Sequence, residues 1–386
     1  MKYLLDTFSR EFRRLCSRTA YLFMMIVVPL GCALFFLSLL SEGLPEKTPT
    51  AIVDLDNSAL SRQVTRELDS EQVIDITHRY ESYSDAVRAV QRGEIFGFFI
   101  IPRNFERNTI GGRTPSIDYY ANLTYFVPGT LAFKGFKTIA VTTTSGLVKM
   151  KLSDIGADGP MTAAMLQPVS IDIQSPGNPW TNYSYYLTPS FIAALLSLMI
   201  VICTTFSITT EIKDRTSVLW LRTAGGSIIT AVSGKLLPQT LIFTMVGWTI
   251  QSMMFGYHHF PVAGNLWVMI LAMPLFVVAC QALALFICSI MPNPRLAMSV
   301  ACLVSILTFS FAGFSFPVDN MYGAIGIFSY LVPVRYYFLL HINEVLWGAP
   351  LYYSRMLFVA LILFPLVAML PLRRLKRALL HPVYVP

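Results

Sequence analysis

Six apolar runs, each separated from the next by polar residues, dominate the pattern of this chain. A transmembrane α-helix needs about 20 consecutive, mainly apolar residues, and the runs reach that length once the last is extended back toward Ser354. The first run is longer than the apolar region of a signal peptide, roughly 7–15 residues, and no A-x-A site follows it, so we expect an uncleaved span. The pattern predicts six transmembrane helices at residues 20–40, 188–210, 236–255, 266–290, 297–316 and 358–370.

The first 19 residues predict an amphipathic helix. The apolar side chains of one helical face are Leu4, Leu5, Phe8, Phe12 and Leu15, with basic residues elsewhere. This pattern is typical of a helix lying in the membrane interface. We favour anchoring at the lipid surface over binding to a partner protein.

Residues 41–186 differ from the rest because strand-like and helix-like stretches alternate there. The expected strands are 50–56, 72–78, 94–101, 115–121 and 169–175. The expected helices are Ser58–Asp69, Ser82–Gln91 (opened by a Ser82-x-x-Asp85 capping box), Pro102–Thr109 and a long one at Thr130–Asp154. Such alternation predicts a compact α/β domain, inserted after the first span and exported.

Two features of this domain could suggest chemistry, and for both we favour a structural role. Asp54, Asp56 and Asn57 form a carboxylate-rich strand end that could hold a metal, but such residues commonly close turns and cap helices. The six cysteines all lie outside residues 33–202, and no CxxC pair occurs. We therefore expect a domain without disulfide or metal.

The polar interval at 211–235 lies between the second and third spans. Lys213, Arg215, Arg222 and Lys235 oppose two acidic residues there, which favours the cytoplasmic side. A short cytoplasmic loop of this kind can receive force from a soluble partner.

Composition and charge agree with this topology. The chain of 386 residues is 54% hydrophobic and 13% charged, with a mean hydropathy of +0.57 and a pI of about 9.1, whereas about 25% of the residues in a soluble domain are charged. Four short segments, 1–20, 211–235, 291–297 and 371–386, hold 14 Lys and Arg against 4 Asp and Glu. The excess charge therefore follows topology and faces the cytoplasm and anionic lipid, so we expect both termini in the cytoplasm and no nucleic-acid partner.

The segment at 317–353 is apolar but broken by prolines and charges. One crossing there would place the basic tail, 373–386, outside, so it must cross zero or two times. Its apolar halves, 323–332 and 336–342, are each too short to cross. We interpret them as re-entrant or interfacial helices on the outer side, packed against protein.

Small and hydroxyl residues form stripes along three spans. The second span carries Ser190, Ser197, Thr204 and Glu211, and the fifth carries Ser305 and Thr308 below Phe309, Phe311, Phe314 and Phe316. Such stripes either line a route or let helices pack closely, and for the third span (Thr240, Thr244, Gly247, Gln251) we favour packing. The second and fifth spans carry no charge near their middle, which argues against an ion-coupled carrier and favours an amphipathic or apolar cargo.

The layout resembles the permease subunit of ABC-2 type transporters, in the drug-efflux-like branch with a large periplasmic domain after the first span. The resemblance covers nearly the whole chain and is most specific at 51–63, 93–107, Glu211–Pro238, Phe314–Pro317 and Pro333. Two departures put the loop's turn geometry in question. Arg215-Thr216 stands where the family usually has Gly-Thr, and Thr223-Ala224-Gly225 stands where Thr-Pro is common.

The resemblance implies a fold, a function and partners. The fold is an α-helical polytopic membrane protein with six transmembrane helices, outer re-entrant helices within the 187–372 region and an inserted α/β extracytoplasmic domain. The interval 211–235 would couple this chain to a separate ATP-binding subunit through Glu211, Lys213, Asp214, Arg215, Thr216 and Arg222. These charges are expected to serve docking or force transfer and hardly to affect folding. The stripes of the second and fifth spans would line the translocation path.

This chain is not expected to be an enzyme or to hold a cofactor; ATP and magnesium belong to the partner subunit. Gly234-Lys235 is followed by Leu236 where a P-loop needs Ser or Thr. The expected partners are the ATP-binding subunit, a second permease protomer (identical or not), membrane lipid, and in addition a periplasmic adaptor and an outer-membrane channel. The expected location is the bacterial inner membrane. An exporter of polysaccharide or lipid is the alternative, and a membrane-anchored ligand sensor is a weaker one, because no cytoplasmic segment is long enough for an output module.

Overall fold

The computed structural model describes residues 2–41, 43, 47–111, 113, 115–122, 130–133, 135–137, 177–178, 182–314 and 316–381. The chain divides into two compact units: residues 1–43 with 174–386, and residues 44–173. The sequence pattern predicts the inserted domain at residues 41–186, and the second unit covers residues 44–173 of this range. We call the first the helical unit and the second the inserted unit, and describe each by itself.

The elements of both units are numbered here in chain order. The helices are α1 (Lys2–Ser17), α2 (Thr19–Leu39), α3 (Ala59–Asp69), α4 (Tyr83–Gln91), α5 (Phe105–Ile110), α6 (Tyr183–Lys213), α7 (Ser217–Thr223), α8 (Ile228–Tyr257), α9 (Leu266–Ile290), α10 (Pro294–Phe311), α11 (Gly323–Tyr330), α12 (Pro333–Leu346), α13 (Leu351–Met369) and α14 (Leu372–Leu380). The strands are β1 (Thr48–Asp54), β2 (Ile74–Arg79), β3 (Gly97–Ile101) and β4 (Asp118–Ala121).

Six helices of the described chain are long and apolar enough to cross a membrane, namely α2, α6, α8, α9, α10 and α13. This confirms the six predicted spans and the mainly helical fold with an inserted domain. Asparagine or serine side chains accept a backbone N–H at the start of four of these helices, those beginning after Asn182, Ser227, Asn265 and Asn293. Such caps satisfy orphan donors of the first turn.

The interior of the helical unit lies around its second and fourth spans. Helices α6 and α9 are the most buried of the six, whereas most residues of α2 and α13 are not buried. A helix that is apolar all round requires either protein or lipid on every side. The outer faces of α2 and α13 therefore contact lipid or another protein.

The segment after the fifth span contains the two predicted short helices. Helices α11 and α12 follow one another at an angle of 78°, which is a sharp break at Leu331-Val332 before Pro333. Each is shorter than the roughly 20 residues of a straight crossing. The bend fits the predicted re-entrant arrangement.

The described residues of the inserted unit form a four-stranded sheet with the order β2-β1-β3-β4. Strand β1 is parallel to β2 and β3, and β4 is antiparallel to β3. Apolar residues alternate between the two faces of β1. Ile52 packs with Val64 and Leu68 of α3, and Ala51 and Val53 pack with α4. Helices therefore cover both faces of the sheet, as the α/β pattern predicts.

Four of the five predicted strands are confirmed, with ends that differ by up to three residues. Residues 169–175 and most of Thr130–Asp154 lie outside the described residues. The third predicted helix begins at Phe105 and not at Pro102, after Asn104 in a left-handed conformation. The Ser82 capping box is confirmed, since the Ser82 hydroxyl accepts the backbone N–H of Asp85 at 3.3 Å.

The acidic strand end closes a turn, as we favoured. One carboxylate oxygen of Asp54 accepts the backbone N–H groups of Asp56 and Asn57, each at 3.0 Å. Its other oxygen accepts the hydroxyl of Ser61 at 2.7 Å. Asp56 accepts the backbone N–H of Glu106 at 3.0 Å, so both carboxylates have structural partners.

Candidate functional site

The polar interval at 211–235 is mostly helical, which corrects the expectation of a continuous loop. Helix α6 runs through Glu211 to Lys213, α7 occupies the middle, and α8 already begins at Ile228. Glu211 and Lys235 are thus buried within the ends of two long helices. Only 214–216 and 224–227 connect the three helices.

Five charged side chains meet where these helices converge with α1. We call Arg10, Glu11, Arg14, Glu211 and Lys235 the ion cluster. Three of them are almost fully buried, with exposed side-chain fractions of 0% for Glu211, 0% for Lys235 and 1% for Glu11. The two arginines are 23% and 13% exposed. The cluster holds three cations and two carboxylates.

Glu211 is the centre of the cluster. Arg10 donates to both of its carboxylate oxygens, at 3.0 and 2.9 Å, and Lys235 Nζ donates to Oε1 at 3.0 Å. Arg14 and the Thr216 hydroxyl also donate to this carboxylate. A carboxylate in the last turn of a helix is destabilised by the negative end of the helix dipole. The three cations around Glu211 offset this repulsion.

Lys235 joins the second carboxylate to the first. Its Nζ lies 2.6 Å from Glu11 Oε2 and 5.0 Å from the centre of the Trp220 ring. Ser207 of α6 donates to the other oxygen of Glu11 at 2.7 Å. Helices α1, α6 and α8 are therefore fixed to one another by buried hydrogen-bonded charges.

Close backbone packing accompanies the charges. A Cβ atom on Gly234 of α8 would lie 2.7 Å from Thr7 Cβ of α1, which is inside van der Waals contact. Thr7 and Leu15 are buried on the same face of α1 as Glu11. We favoured anchoring of α1 at the lipid surface, and the structure adds that one face of this helix packs against the rest of the chain.

The opposite face of α1 keeps the predicted interfacial character. Leu5 is 59% exposed and Phe12 is 45% exposed, and the rings of Phe8 and Phe12 stack at 6.1 Å. Exposed Arg13 lies beside Phe12. An apolar face edged by a basic residue is what an interfacial helix presents to lipid.

Helix α7 is held on one side and uncovered on the other. The Trp220 indole donates to the backbone carbonyl of Ala231 at 3.1 Å, and the Ser217 hydroxyl donates to that of Leu379 in α14 at 2.7 Å. On the other side Leu219 is 59% exposed and Arg222 is exposed. The helix thus presents a fixed outward surface.

The six residues expected to couple this chain to a partner lie in different environments. Lys213, Asp214 and Arg215 are exposed beside the end of α6, as is Arg222 in α7. Thr216 is half-buried and Glu211 is fully buried. Asp214 pairs with Arg18 at 3.5 Å, and both side chains are more than a third exposed. Glu211 is therefore an internal residue that is shielded from solvent.

Arg215 occupies the turn whose geometry was in question. Its φ is 56°, in the left-handed region that glycine enters without strain. The following N–H, that of Thr216, donates to the carbonyl of Glu211 at 2.9 Å. Helices commonly end with a residue in the left-handed conformation, usually glycine. Arg215 takes that position after α6.

The stripe of the second span is buried inside this chain. Ser190, Ser197 and Thr204 are at most 5% exposed. Ser197 Oγ lies 3.3 Å from the thiol of Cys280, and Thr204 donates to Gln239 at 3.4 Å. Within one chain the hydroxyls of Ser197 and Thr204 therefore contact neighbouring helices, whereas that of Ser190 donates to the Tyr186 carbonyl of its own helix.

The stripe of the fifth span packs against the second span. Ser305 and Thr308 are buried; Phe309 and Phe314 lie 6.4 and 5.9 Å from the ring of Phe191 in α6. The remaining two aromatic residues differ: Phe311 contacts Phe328 at 6.2 Å, and Phe316 is 51% exposed.

The third-span stripe serves packing, as we favoured. A Cβ on Gly247 would lie 2.4 Å from the sulfur of Met273 in α9. Thr240 donates to Gln281 at 2.7 Å, and Gln251 donates to the carbonyl of Met269 at 3.0 Å. Glycine and polar side chains thus hold α8 close to α9.

Four members of the ion cluster were missed as site residues by reasoning from sequence. Arg10, Glu11 and Arg14 lie about 200 positions from Glu211 along the chain, and Lys235 counted only as a loop charge. One signal was present: Glu11 follows Thr7 and precedes Leu15 by four residues each, so it lies on a packed face. In the part of the chain that the structure describes, no three His, Cys, Asp or Glu residues are grouped to hold a metal.

Comparison with known families agrees with this architecture. The model of a family described as ABC-2 family transporter protein matches residues 19–370. The match spans the inserted unit and all six long helices, and it excludes α1 and α14. A comparison with curated proteins gave no match. Because this match covers most of the chain, the chain belongs to the ABC-2 family of transporters as a multi-pass transport permease, and membership of this family implies partnership with an ATP-binding subunit.

Proposed function

We propose that this chain is the permease subunit of an ATP-binding cassette exporter. It moves an amphipathic or apolar substrate out of the cytoplasm or the inner membrane, and a separate subunit hydrolyses the ATP. One observation carries the proposal: α7 exposes one face while its other face is bound to the inner ends of the spans.

The exposed face of α7 and the turn before it form the docking surface. Arg215, Leu219 and Arg222 provide two cations and one apolar side chain within eight residues. Arginine is enriched among the residues that dominate binding at interfaces, and steering by charge raises the rate of association. The matching surface on the ATP-binding subunit is expected to be an apolar pocket with an acidic rim.

The ion cluster transmits movement from α7 to the spans. Thr216 lies at the start of α7 and donates to Glu211 in α6. Trp220 of α7 lies under Lys235 of α8. A displacement of α7 therefore acts on the second and third spans through short polar contacts, and α1 moves with them through Glu11.

The translocation path lies between two permease protomers. Inside one chain the second and fifth spans are closed by the aromatic contacts of Phe191 with Phe309 and Phe314. A route along the stripes thus requires these helices to separate or to face a second copy. The absence of charge near the middle of the two spans suits an apolar or amphipathic cargo.

The topology follows from the basic inner segments. Both termini and α7 lie in the cytoplasm of a bacterium, and the inserted unit lies in the periplasm. There it is placed to meet a periplasmic adaptor and an outer-membrane channel.

Co-purification tests the docking step. The tagged chain is expected to retain an ATP-binding subunit, identified by mass, and Arg222→Glu is expected to lower the retained amount by about tenfold because it opposes the acidic rim. Arg295→Glu is the matched control, since Arg295 is an exposed cation outside α7. Equal recovery of the subunit with wild type and Arg222→Glu would contradict docking through α7.

A further inference from the structure

Helix α14, which follows the last span, has two opposite faces. Leu372, Leu375 and Leu379 are buried against α7, α8 and α9. Leucines spaced by three and four residues lie on one side of a helix. This side attaches α14 to the helical unit.

The other face of α14 is basic. Arg373, Arg374 and Arg377 are exposed, and Lys376 is half-buried beside them. Within the described part of the chain, none of these four cations forms an ion pair. No acidic side chain among the described residues therefore neutralises this face.

The start of α14 places this face at a membrane surface. Helix α13 ends at Met369, which is 49% exposed, and Leu370 is 79% exposed. Such exposed apolar residues belong in lipid, and α14 begins only two residues after Leu370. The first arginines thus lie where the span leaves the hydrocarbon core, at the depth of lipid headgroups.

A hydrogen bond links α14 to the docking helix. Ser217, the first residue of α7, donates to the carbonyl of Leu379 in the last turn of α14 at 2.7 Å. Both atoms are buried. The position of α7 is therefore tied to that of α14.

We propose that the basic face of α14 binds the headgroups of anionic membrane lipids, and that this binding holds α7 in its docking position. Clustered basic residues next to a span attract anionic headgroups. The lipid acts as a ligand of the folded state and stabilises it. The binding requires no ATP-binding subunit, so it can be tested apart from the proposed function.

The test uses the purified full chain in nanodiscs. In an equal mixture of phosphatidylglycerol and phosphatidylcholine, the apparent melting temperature is expected to exceed that in phosphatidylcholine alone by about 3 °C. The variant Arg373→Gln/Arg374→Gln/Arg377→Gln is expected to lose most of this rise, and the corresponding triple lysine variant is expected to keep it. The control Arg66→Gln/Arg79→Gln/Arg103→Gln, which removes three exposed cations from the inserted unit, is also expected to keep it.

Two outcomes would overturn the lipid site. An equal rise in wild type and the triple glutamine variant would place lipid binding elsewhere. The same rise in phosphatidylcholine nanodiscs after addition of inorganic phosphate would show a general anion site instead of a headgroup site.

Hydrogen exchange tests the link to α7. Phosphatidylglycerol is expected to slow exchange in 217–223 of wild type and not of the triple glutamine variant. Ser217→Ala is expected to keep the rise in melting temperature and to lose the slowed exchange. Unchanged slowing in Ser217→Ala would refute the connection while leaving the lipid site intact.

Discussion

The substitution Glu211→Gln isolates the charge at the centre of the ion cluster. Glutamine keeps the size of the side chain and removes the negative charge. Arg10 and Arg14 are partly exposed and can turn toward water, but Lys235 is fully buried. In the Glu211→Gln variant, Glu11 would be the one anionic partner left to Lys235 among the described residues.

The expected cost in folding free energy follows from this burial. Removing one member of a fully buried ion pair destabilises a protein by about 3–5 kcal/mol. The lower end, about 3 kcal/mol, applies here because Lys235 retains Glu11 and the two arginines can be solvated. The earlier expectation that this charge hardly affects folding is therefore replaced by a marked loss of stability.

The assay is the thermal melting curve of the full chain in detergent, with Asp214→Asn as the matched control. Asp214 lies three residues from Glu211, but its pair with Arg18 is exposed, so its loss should cost under about 1 kcal/mol. A melting curve of Glu211→Gln that coincides with those of wild type and the control would refute the buried cluster.

A second readout separates stability from coupling. At a temperature where Glu211→Gln is still folded, the reconstituted complex is expected to hydrolyse ATP with strongly reduced transport, because the cluster no longer joins α7 to the spans. If Glu211→Gln transports as much substrate per ATP hydrolysed as wild type does, the ion cluster has a structural role and does not take part in coupling.

Three further predictions concern packing, backbone and topology. Gly234→Val should destabilise the chain by about 1–3 kcal/mol, because its side chain would collide with Thr7, whereas Gly31→Ala, with nothing within 4 Å of the new Cβ, should leave the melting temperature in detergent unlowered. Arg215→Gly should raise stability by about 1 kcal/mol by relieving the left-handed backbone while weakening recovery of the ATP-binding subunit; a lower melting temperature would contradict this. A cysteine replacing Arg374, in a background without native cysteines, should resist an impermeant thiol reagent added outside intact cells, and its labelling there would reverse the topology.

Reasoning from sequence located the spans well because a membrane helix can be recognised from a continuous run of neighbouring apolar residues. The fourth span, Leu266–Ile290, matches its predicted limits, since its continuous hydrophobic run can be recognised within a single stretch of sequence. Capping and turn chemistry at Ser82 and Asp54 succeeded for the same reason. Each is decided by residues at most seven positions apart.

The ion cluster escaped prediction because its partners are distant in sequence. A polar stretch such as Glu211–Lys235 has the composition of a loop, and only the approach of α1 turns its end charges into buried ones. Hydropathy also ended the second span too early, at 210, and began the third too late, at 236, since it treats a compensated charge like a solvated one. The spans extend to Lys213 and from Ile228.

A contact within the helical unit joins the end of the first span to the start of the second, beside the point where the inserted unit interrupts the chain. The chain leaves the helical unit after Gly43 and re-enters it at residue 174. Within this unit the Tyr183 N–H donates to the Gly43 carbonyl at 2.7 Å. The asparagine before Tyr183 fills the space that a Cβ on Gly43 would need. The first and second spans are thus already tied together at the point of insertion. A short linker joining residue 43 to residue 174 should therefore leave the six helices assembled, and we expect the inserted unit to be exchangeable without redesign of the helical unit.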